Sequence, residues 1–175
     1  MEFEDVLSEY ATPVYSFCVR LIGNEDDAKD LSQDIFVKIW RNLEKYDASK
    51  SLKAWIFTIA RNTCYDWLRK KKNLVFSQMN TASGGDDEPV NFEETIHDEK
   101  PLQDELFIQK ENAERVEKAI KILPQDQLEV VILHYTENLS FDEIAQILGK
   151  SINTVKSQNR RALEKMKKFL ENAPK

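Results

Sequence analysis

"LSFDEIAQILGKSINTVKSQNRRALEKMKKFL", residues 139–170, sets a mixed acidic and apolar segment against a strongly basic one across Gly149. Both halves follow the helical period. Ser140 is placed to cap the first, Glu143 three residues on completes a capping box, and Phe141, Ile144, Ala145 and Leu148 share one face. Gly149 suits the left-handed position that ends a helix and that glycine adopts cheaply. Ser151 or Asn153 can cap a second helix, with Ile152 just before its start and Val155, Ala162, Leu163 and Met166 facing inward. Helix, tight turn, helix at a steep fixed angle is the helix-turn-helix arrangement.

The outward face of the second helix carries Asn153, Lys156, Ser157 and Arg160, with Arg161 toward one flank. Lysine and arginine reach guanine edges or phosphates, and serine and asparagine do either from shorter stems. A helix of this kind fits the major groove with its N-terminal half toward the bases, which leaves Lys165, Lys167 and Lys168 to neutralise the backbone. A solvated amphipathic helix would carry similar charges, but it would not explain the capped helix and glycine turn ahead of it.

A net charge of −6 argues against a nucleic-acid partner only if the charge is spread evenly, and it is not. Residues 1–46 hold ten acidic and five basic side chains, whereas residues 47–73 hold two and seven. Residues 74–105 hold nine acidic side chains and one basic, and residues 150–168 carry seven Lys or Arg against Glu164 alone. Two basic patches therefore sit inside an acidic chain, the pattern of separate surfaces for separate partners.

Helical period also organises the first half. Phe3, Val6, Leu7, Tyr10, Val14, Phe17, Cys18 and Leu21 recur at three and four residues until Gly23-Asn24, and Ala28, Leu31, Ile35, Phe36 and Ile39 share a face of the next helix. A polar turn around Asp47 and Ser49 leads to a third helical run from Ala54 to Leu68, which the run Arg69 to Lys72 is expected to end. Residues 74–105, with Gly-Gly, acids and two prolines, read as a flexible acidic linker. Leu106, Ile108, Ala113, Val116, Ile120 and Leu123 then set the face of a further helix, and Leu128, Val131, Ile132 and Tyr135 that of the one after Pro124. The expectation is an all-α chain of two small helical domains, residues 1–73 and 106–175, joined by the linker, the second ending in the helix-turn-helix.

Several function classes recede. Cys18 and Cys64 lie in apolar-periodic stretches without metal-like spacing and read as free buried thiols of a cytoplasmic protein. No apolar run approaches the length needed to span a bilayer, so no direct membrane insertion is expected. No glycine-rich phosphate loop occurs, His97 and His134 have no evident orienting partner, and Asp30 with Asp34 reads as a solvated pair, so no catalytic, cofactor-binding or metal site is expected. Lys50, Lys53, Arg61 and Arg69 to Lys72, interleaved with Trp55, Phe57, Tyr65 and Trp67, suit a single-strand surface where rings stack on bases. Phe57 and Trp67 are expected in the core and Trp55 in the open.

Two segments carry a family resemblance. "GNEDDAKDLSQDIFVKIWRNLEKYDASKSLKAWIFTIARNTCYDWLRKKK", residues 23–72, resembles region two of the extracytoplasmic-function (ECF) sigma factors of bacterial RNA polymerase. "LPQDQLEVVILHYTENLSFDEIAQILGKSINTVKSQNRRALEKM", residues 123–166, resembles their region four. The resemblance implies an alternative sigma factor that binds core RNA polymerase and directs promoter recognition, DNA melting and transcription initiation. Asp30, Gln33, Asp34, Phe36, Val37, Trp40 and Arg41 match the family's surface for the polymerase clamp helices. Ser49, Lys50, Lys53 and Trp55 fall in the stretch that resembles the loop capturing a flipped base of the minus-ten element, and Arg61, Asn62, Asp66, Arg69 and Lys70 match the adjoining helix.

Ser151, Asn153, Thr154, Lys156, Ser157, Arg160 and Arg161 match the part that reads or clamps the minus-thirty-five element. Gln158-Asn159 departs from the commonest pattern, an arginine followed by an apolar residue or histidine, and Arg160 is expected to regain the charge lost at Gln158. The resemblance further implies control by an anti-sigma factor, in the usual case a membrane-bound one. The rival reading is a stand-alone helix-turn-helix transcriptional regulator that binds duplex DNA, which gives residues 23–72 no task.

Overall fold

In the computed structural model the backbone is described for residues 2–79 and 104–172, and side chains for residues 2–72 and 113–172. Every regular element in these ranges is helical, and the chain divides into two compact units.

The first unit packs three helices pairwise: α1 (Phe3–Ile22), α2 (Glu25–Asn42) and α3 (Leu52–Met79). α1 ends where Gly23 takes a φ of 71° and returns its N–H to the Val19 carbonyl at 2.8 Å. Asn24 at once caps α2, its Oδ1 accepting the Asp27 N–H at 2.9 Å, so two adjacent residues make a sharp reversal. Pro13 lies inside α1 and cannot donate to the carbonyl one turn back, yet the helix continues because buried residues flank it, Val6 and Tyr10 before and Val14, Phe17, Cys18 and Leu21 after.

Ala28, Leu31, Ile35, Phe36 and Ile39 of α2 are all buried, as their spacing predicts. Phe17 and Phe57 meet edge to face at the centre, with ring centroids 5.4 Å apart. Cys18 and Cys64 are free and buried, and their thiols share a hydrogen bond with the sulfurs 3.5 Å apart. That hydrogen bond, with burial, pushes the Cys18 thiol far above its ordinary range and keeps it protonated. Lys38 Nζ donates to Thr63 Oγ1 at 2.9 Å, a polar tie between α2 and α3 beside the apolar core.

Two expectations change here. α3 does not stop at the run of lysines but continues to Met79, past the boundary drawn at residue 73. Lysine is a good helix former and a solvated like-charge run does not break a helix. Trp67 is only half-buried, with Lys71 Nζ 4.5 Å above its ring. Of the expected linker, residues 80–103 lie outside the described residues, as does His97.

The second unit holds α4 (Asp104–Lys121), α5 (Gln125–Val131), a π-helical turn (Ile132–Thr136), α6 (Phe141–Leu148) and α7 (Ile152–Asn172), with α4 and α5 both packed on α7. Ala119 and Leu123 are buried, whereas Ala113 and Val116 are exposed, so the inner face of α4 is rotated from the expected one. Arg115 helps to set that rotation: its Nη2 donates to the Leu170 carbonyl near the end of α7, at 3.2 Å. The wide turn after α5 has a similar effect. Glu137 N–H reaches back five residues to Ile132 at 3.2 Å, which adds a residue to the turn; Val130 ahead of it and Leu133 within it are buried, and Tyr135 is exposed instead of inward.

The helix-turn-helix forms by the expected local chemistry. Ser140 N–H donates to Glu143 Oε2 at 2.9 Å and Glu143 N–H to Ser140 Oγ at 3.2 Å, the reciprocal capping box. Gly149 has φ 62°, and the Lys150 N–H closes on the Ala145 carbonyl at 3.0 Å. Ser151 caps α7 by accepting the Thr154 N–H at 3.1 Å. Val155 and Ala162 are fully buried, Met166 half-buried, while Leu163 is exposed. A Cβ on Gly149 would meet nothing within 4 Å, so Gly149→Ala carries only the cost of the left-handed backbone. That cost is about 1–2 kcal/mol. Thermal unfolding of the variant should show a destabilisation of this size, and a Gly149→Asn variant a smaller one.

Candidate promoter and polymerase surfaces

Three surfaces collect the residues singled out in the sequence. The first lies on α7. Asn153, Thr154, Lys156, Arg160 and Arg161 are exposed and Ser157 is half-exposed, so one face presents amide, hydroxyl, ammonium and guanidinium groups together. Ser151 and Thr154 are partly committed to the cap, their hydroxyl oxygens 2.8 Å apart. Arg160 lies 3.8 Å from Glu164, but both side chains are more than half exposed and the pair holds the guanidinium only weakly.

Gln158 and Asn159, the departure from the commonest pattern, are both buried and stand off this outward face, whereas Arg160 is exposed on it. Gln158 Nε2 donates to Asp126 Oδ2 at 2.9 Å and Asn159 Nδ2 to the Tyr135 hydroxyl at 3.3 Å. His134 also has a partner after all: Nδ1 lies 2.8 Å from the Leu139 carbonyl, and its ring stacks on Phe141 at 4.3 Å, tying the π turn to the start of α6.

The second surface runs from the loop before α3 along that helix. A 3-10 turn, Leu43–Lys45, precedes the loop. Asp47 Oδ1 accepts from Ser49 N–H at 3.0 Å and from Ser49 Oγ at 2.7 Å. The Ser49 hydroxyl, then its N–H, holds the Asp47 carboxyl below the usual range, so it stays ionised and keeps the turn. Tyr46 donates its hydroxyl to the Lys50 carbonyl and packs its ring against Trp55, centroids 5.1 Å apart. Trp55 is thus half-buried and fixed, not free. Ser51 Oγ accepts the Ala54 N–H at 3.3 Å and starts α3.

Farther along α3, Asn62, Asp66, Arg69 and Lys70 form an exposed stripe at helical spacing, while Lys53 and Arg61 are half-buried, Arg61 lying 4.6 Å from the Tyr65 ring centroid. Asp66 accepts from Arg69 Nη2 at 2.8 Å, so the acid in this basic stripe steers an arginine. Tyr46 has no place among the sequence candidates, although an aromatic nine residues before Trp55 was the available signal.

The third surface is a groove of about 510 Å³ between α1 and α2. Phe3, Leu7 and Ala11 form one wall, and Ser32, Gln33, Phe36, Val37 and Trp40 the other. Trp40 is 61% exposed and Val37 44%, both unusual for large apolar side chains. Phe36, by contrast, is buried edge-on to Phe3 at 6.5 Å and serves as floor. Asp30, Asp34 and Arg41 stand exposed on α2. The α1 wall was invisible to a reading of α2 alone, since it exists only through the pairing of the two helices.

Among the described residues, no group of three or more His, Cys, Asp or Glu side chains is placed to hold a metal ion, and no helix is long and apolar enough to cross a membrane.

Comparison with known proteins finds two family matches along the chain. The Sigma-70 region 2 family model matches residues 6–74 and the Sigma-70 region 4 model residues 113–166, together well over half of the chain. The ECF RNA polymerase sigma factor SigW of Bacillus subtilis is 28% identical over 168 residues, 96% of this chain and 88% of SigW. The ECF sigma factor RpoE of Cereibacter sphaeroides is 28% identical over 169 residues, 96% of this chain and 86% of that protein. Among solved structures, the sigma factor RpoE of Bartonella quintana, crystallised with the anti-sigma factor NepR, superposes with a TM-score of 0.72 at 28% identity and 98% coverage of both chains. Two helical units in the matching order, a helix-turn-helix in the second and full-length likeness to such relatives place this chain among the ECF sigma factors, proteins without enzymatic activity of their own that bind core RNA polymerase and direct promoter recognition.

Proposed function

We propose that the three surfaces divide the work of this sigma factor. The α1–α2 groove docks on the polymerase, the loop and exposed stripe of α3 engage the minus-ten element, and the outward face of α7 reads the minus-thirty-five element. The observation that carries the proposal is the segregation of chemistry. Trp40 and Val37 are exposed on a helix whose exposed carboxylates, Asp30 and Asp34, would repel phosphate, whereas the clustered basic side chains lie on α3 and α7. Apolar side chains beside acids suit a protein partner, and amides and cations on a capped helix suit a duplex.

On α3, Trp55 braced by Tyr46 offers a fixed ring edge beside an ordered loop, which lowers the entropy cost of holding an unstacked base. The two DNA surfaces bind weakly when used singly and strongly when polymerase holds them at promoter spacing, because tethering raises the effective concentration of the second contact. The same exposed apolar groove suits an anti-sigma factor, as the NepR-bound Bartonella relative suggests, and occupation there would deny polymerase its dock. Cytoplasmic residence, domain limits of 1–73 and 106–175 and DNA melting belong to this proposal.

In vitro transcription with bacterial core polymerase and a promoter library tests it. Transcripts that start at discrete sites sharing two upstream elements, and only when the protein is added, are the expected result. Tight binding to free duplex, with no effect of the protein on polymerase, would instead establish the stand-alone regulator.

A further inference from the structure

We infer that Gln158 and Asn159 are positioning residues of the recognition helix: they fix the roll of α7 against α5 and the π turn, and so decide which bases Lys156, Ser157 and Arg160 can reach, without touching a base themselves. The inference rests on α7 being the promoter-reading helix.

Both amides lie in the middle of an otherwise outward-facing polar run, yet each is only 8% exposed. Gln158 joins three segments. Its Nε2 donates to Asp126 Oδ2 near the start of α5 at 2.9 Å, and its Oε1 accepts from Lys150 Nζ in the turn at 3.4 Å. Asn159 Nδ2 donates to the Tyr135 hydroxyl at 3.3 Å, which ties the adjacent residue to a different element. α7 is thereby gripped at two points a single residue apart.

Apolar contacts could not do this alone. The fully buried apolar side chains beside these amides, Val155 and Ala162, are small, and hydrophobic contact is non-directional, so it resists sliding and rolling poorly. Hydrogen bonds, by contrast, are directional. Successive helical residues are about 100° apart, so a modest roll exchanges the side chains that face a groove. The arrangement is not the most stable available, because Asn159 Oδ1 is buried with no hydrogen-bond partner. A leucine there would remove that unsatisfied atom, which makes orientation the better account of the amide.

The test uses the full chain with core polymerase and a promoter library randomised over the upstream element, read by transcript sequencing and accompanied by thermal unfolding. Gln158→Met keeps length but loses both hydrogen bonds. It is expected to lower upstream-element-dependent transcription by about threefold to tenfold and to alter preference at several positions together. Asp126→Ala should reproduce that profile, and the double variant should be no worse than either single one, the signature of residues acting through one contact. Gln158→Arg, which can still donate to Asp126, should restore the original preference, whereas a base-reading glutamine replaced by arginine would shift one position from adenine toward guanine. Asn159→Leu should melt no lower than the parent chain while broadening the preference.

Relaxed preference at one base pair in Gln158→Met, with Asp126→Ala unchanged, would overturn the inference and make Gln158 a reader. So would parental preferences in all of these variants. Lys156→Ala and Arg160→Ala in the same library separate the two levels: if they also leave every preference intact, it is the assignment of α7 to the promoter that fails.

Discussion

Trp40→Ala is expected to weaken binding to core RNA polymerase by at least about thirtyfold, ~2 kcal/mol, without lowering the melting temperature of the first unit appreciably. Both halves of that expectation come from exposure. At 61% exposed, the indole lends little to the fold of the free chain, so removing it leaves no cavity in the core. Yet it stands at the edge of a groove floored by Phe36 and walled by Leu7, where a partner could cover most of its surface. Large aromatic side chains desolvated in such a setting dominate interface energies.

The neighbouring residue supplies the contrast. Ile39 is fully buried, and Ile39→Ala should cost about 2–5 kcal/mol of stability by leaving a cavity. Titration of labelled chain with core polymerase, beside calorimetry of both variants, separates docking from folding. An unchanged affinity for Trp40→Ala would remove the groove from the polymerase interface, and a large drop in its melting temperature would make the indole a structural residue.

The sequence made some parts of this molecule legible because they depend on neighbours in the chain. Gly23 with Asn24, the Ser140–Glu143 box, Gly149 and Ser151 are local devices, and each acts within five residues. The buried stripe of α2 was equally readable, since its period matches one dominant face. Tertiary consequences were not. Nothing near Arg69 to Lys72 could show that α3 continues to Met79, because cations permit a helix as readily as they follow one. The π turn moved Tyr135 outward by one added residue, and no residue type marks such a widening. The partners of Gln158 and Asn159 were illegible for a different reason: the two amides bond to Asp126 and Tyr135, more than twenty residues away, and no local pattern announces such a pairing.

Replacing Lys156 and Arg160 together by alanine should reduce transcription that depends on the upstream element by roughly two orders of magnitude or more. Each direct base contact is worth about 1–3 kcal/mol, and contacts to separate base pairs add approximately. The two side chains stand one helical turn apart on the exposed face of α7, so they can meet neighbouring base pairs from one placement of the helix. Stability should change little. Both are exposed, and the Arg160–Glu164 pair at 3.8 Å is too open to contribute much to the fold.

The single variants give the finer discrimination when read against a library at two salt concentrations. A base-reading side chain, once removed, relaxes preference at its own position and leaves the rest of the element in force. A phosphate-binding one weakens every sequence alike and flattens the salt dependence by about one ion. Arg160 is expected to behave as the former, since its planar fork matches guanine at two acceptors, and Lys156 as either, since an ammonium is a point charge. Uniform weakening in both would leave base readout to Asn153 and Ser157, whose short stems require a closer approach of α7 to the floor of the groove.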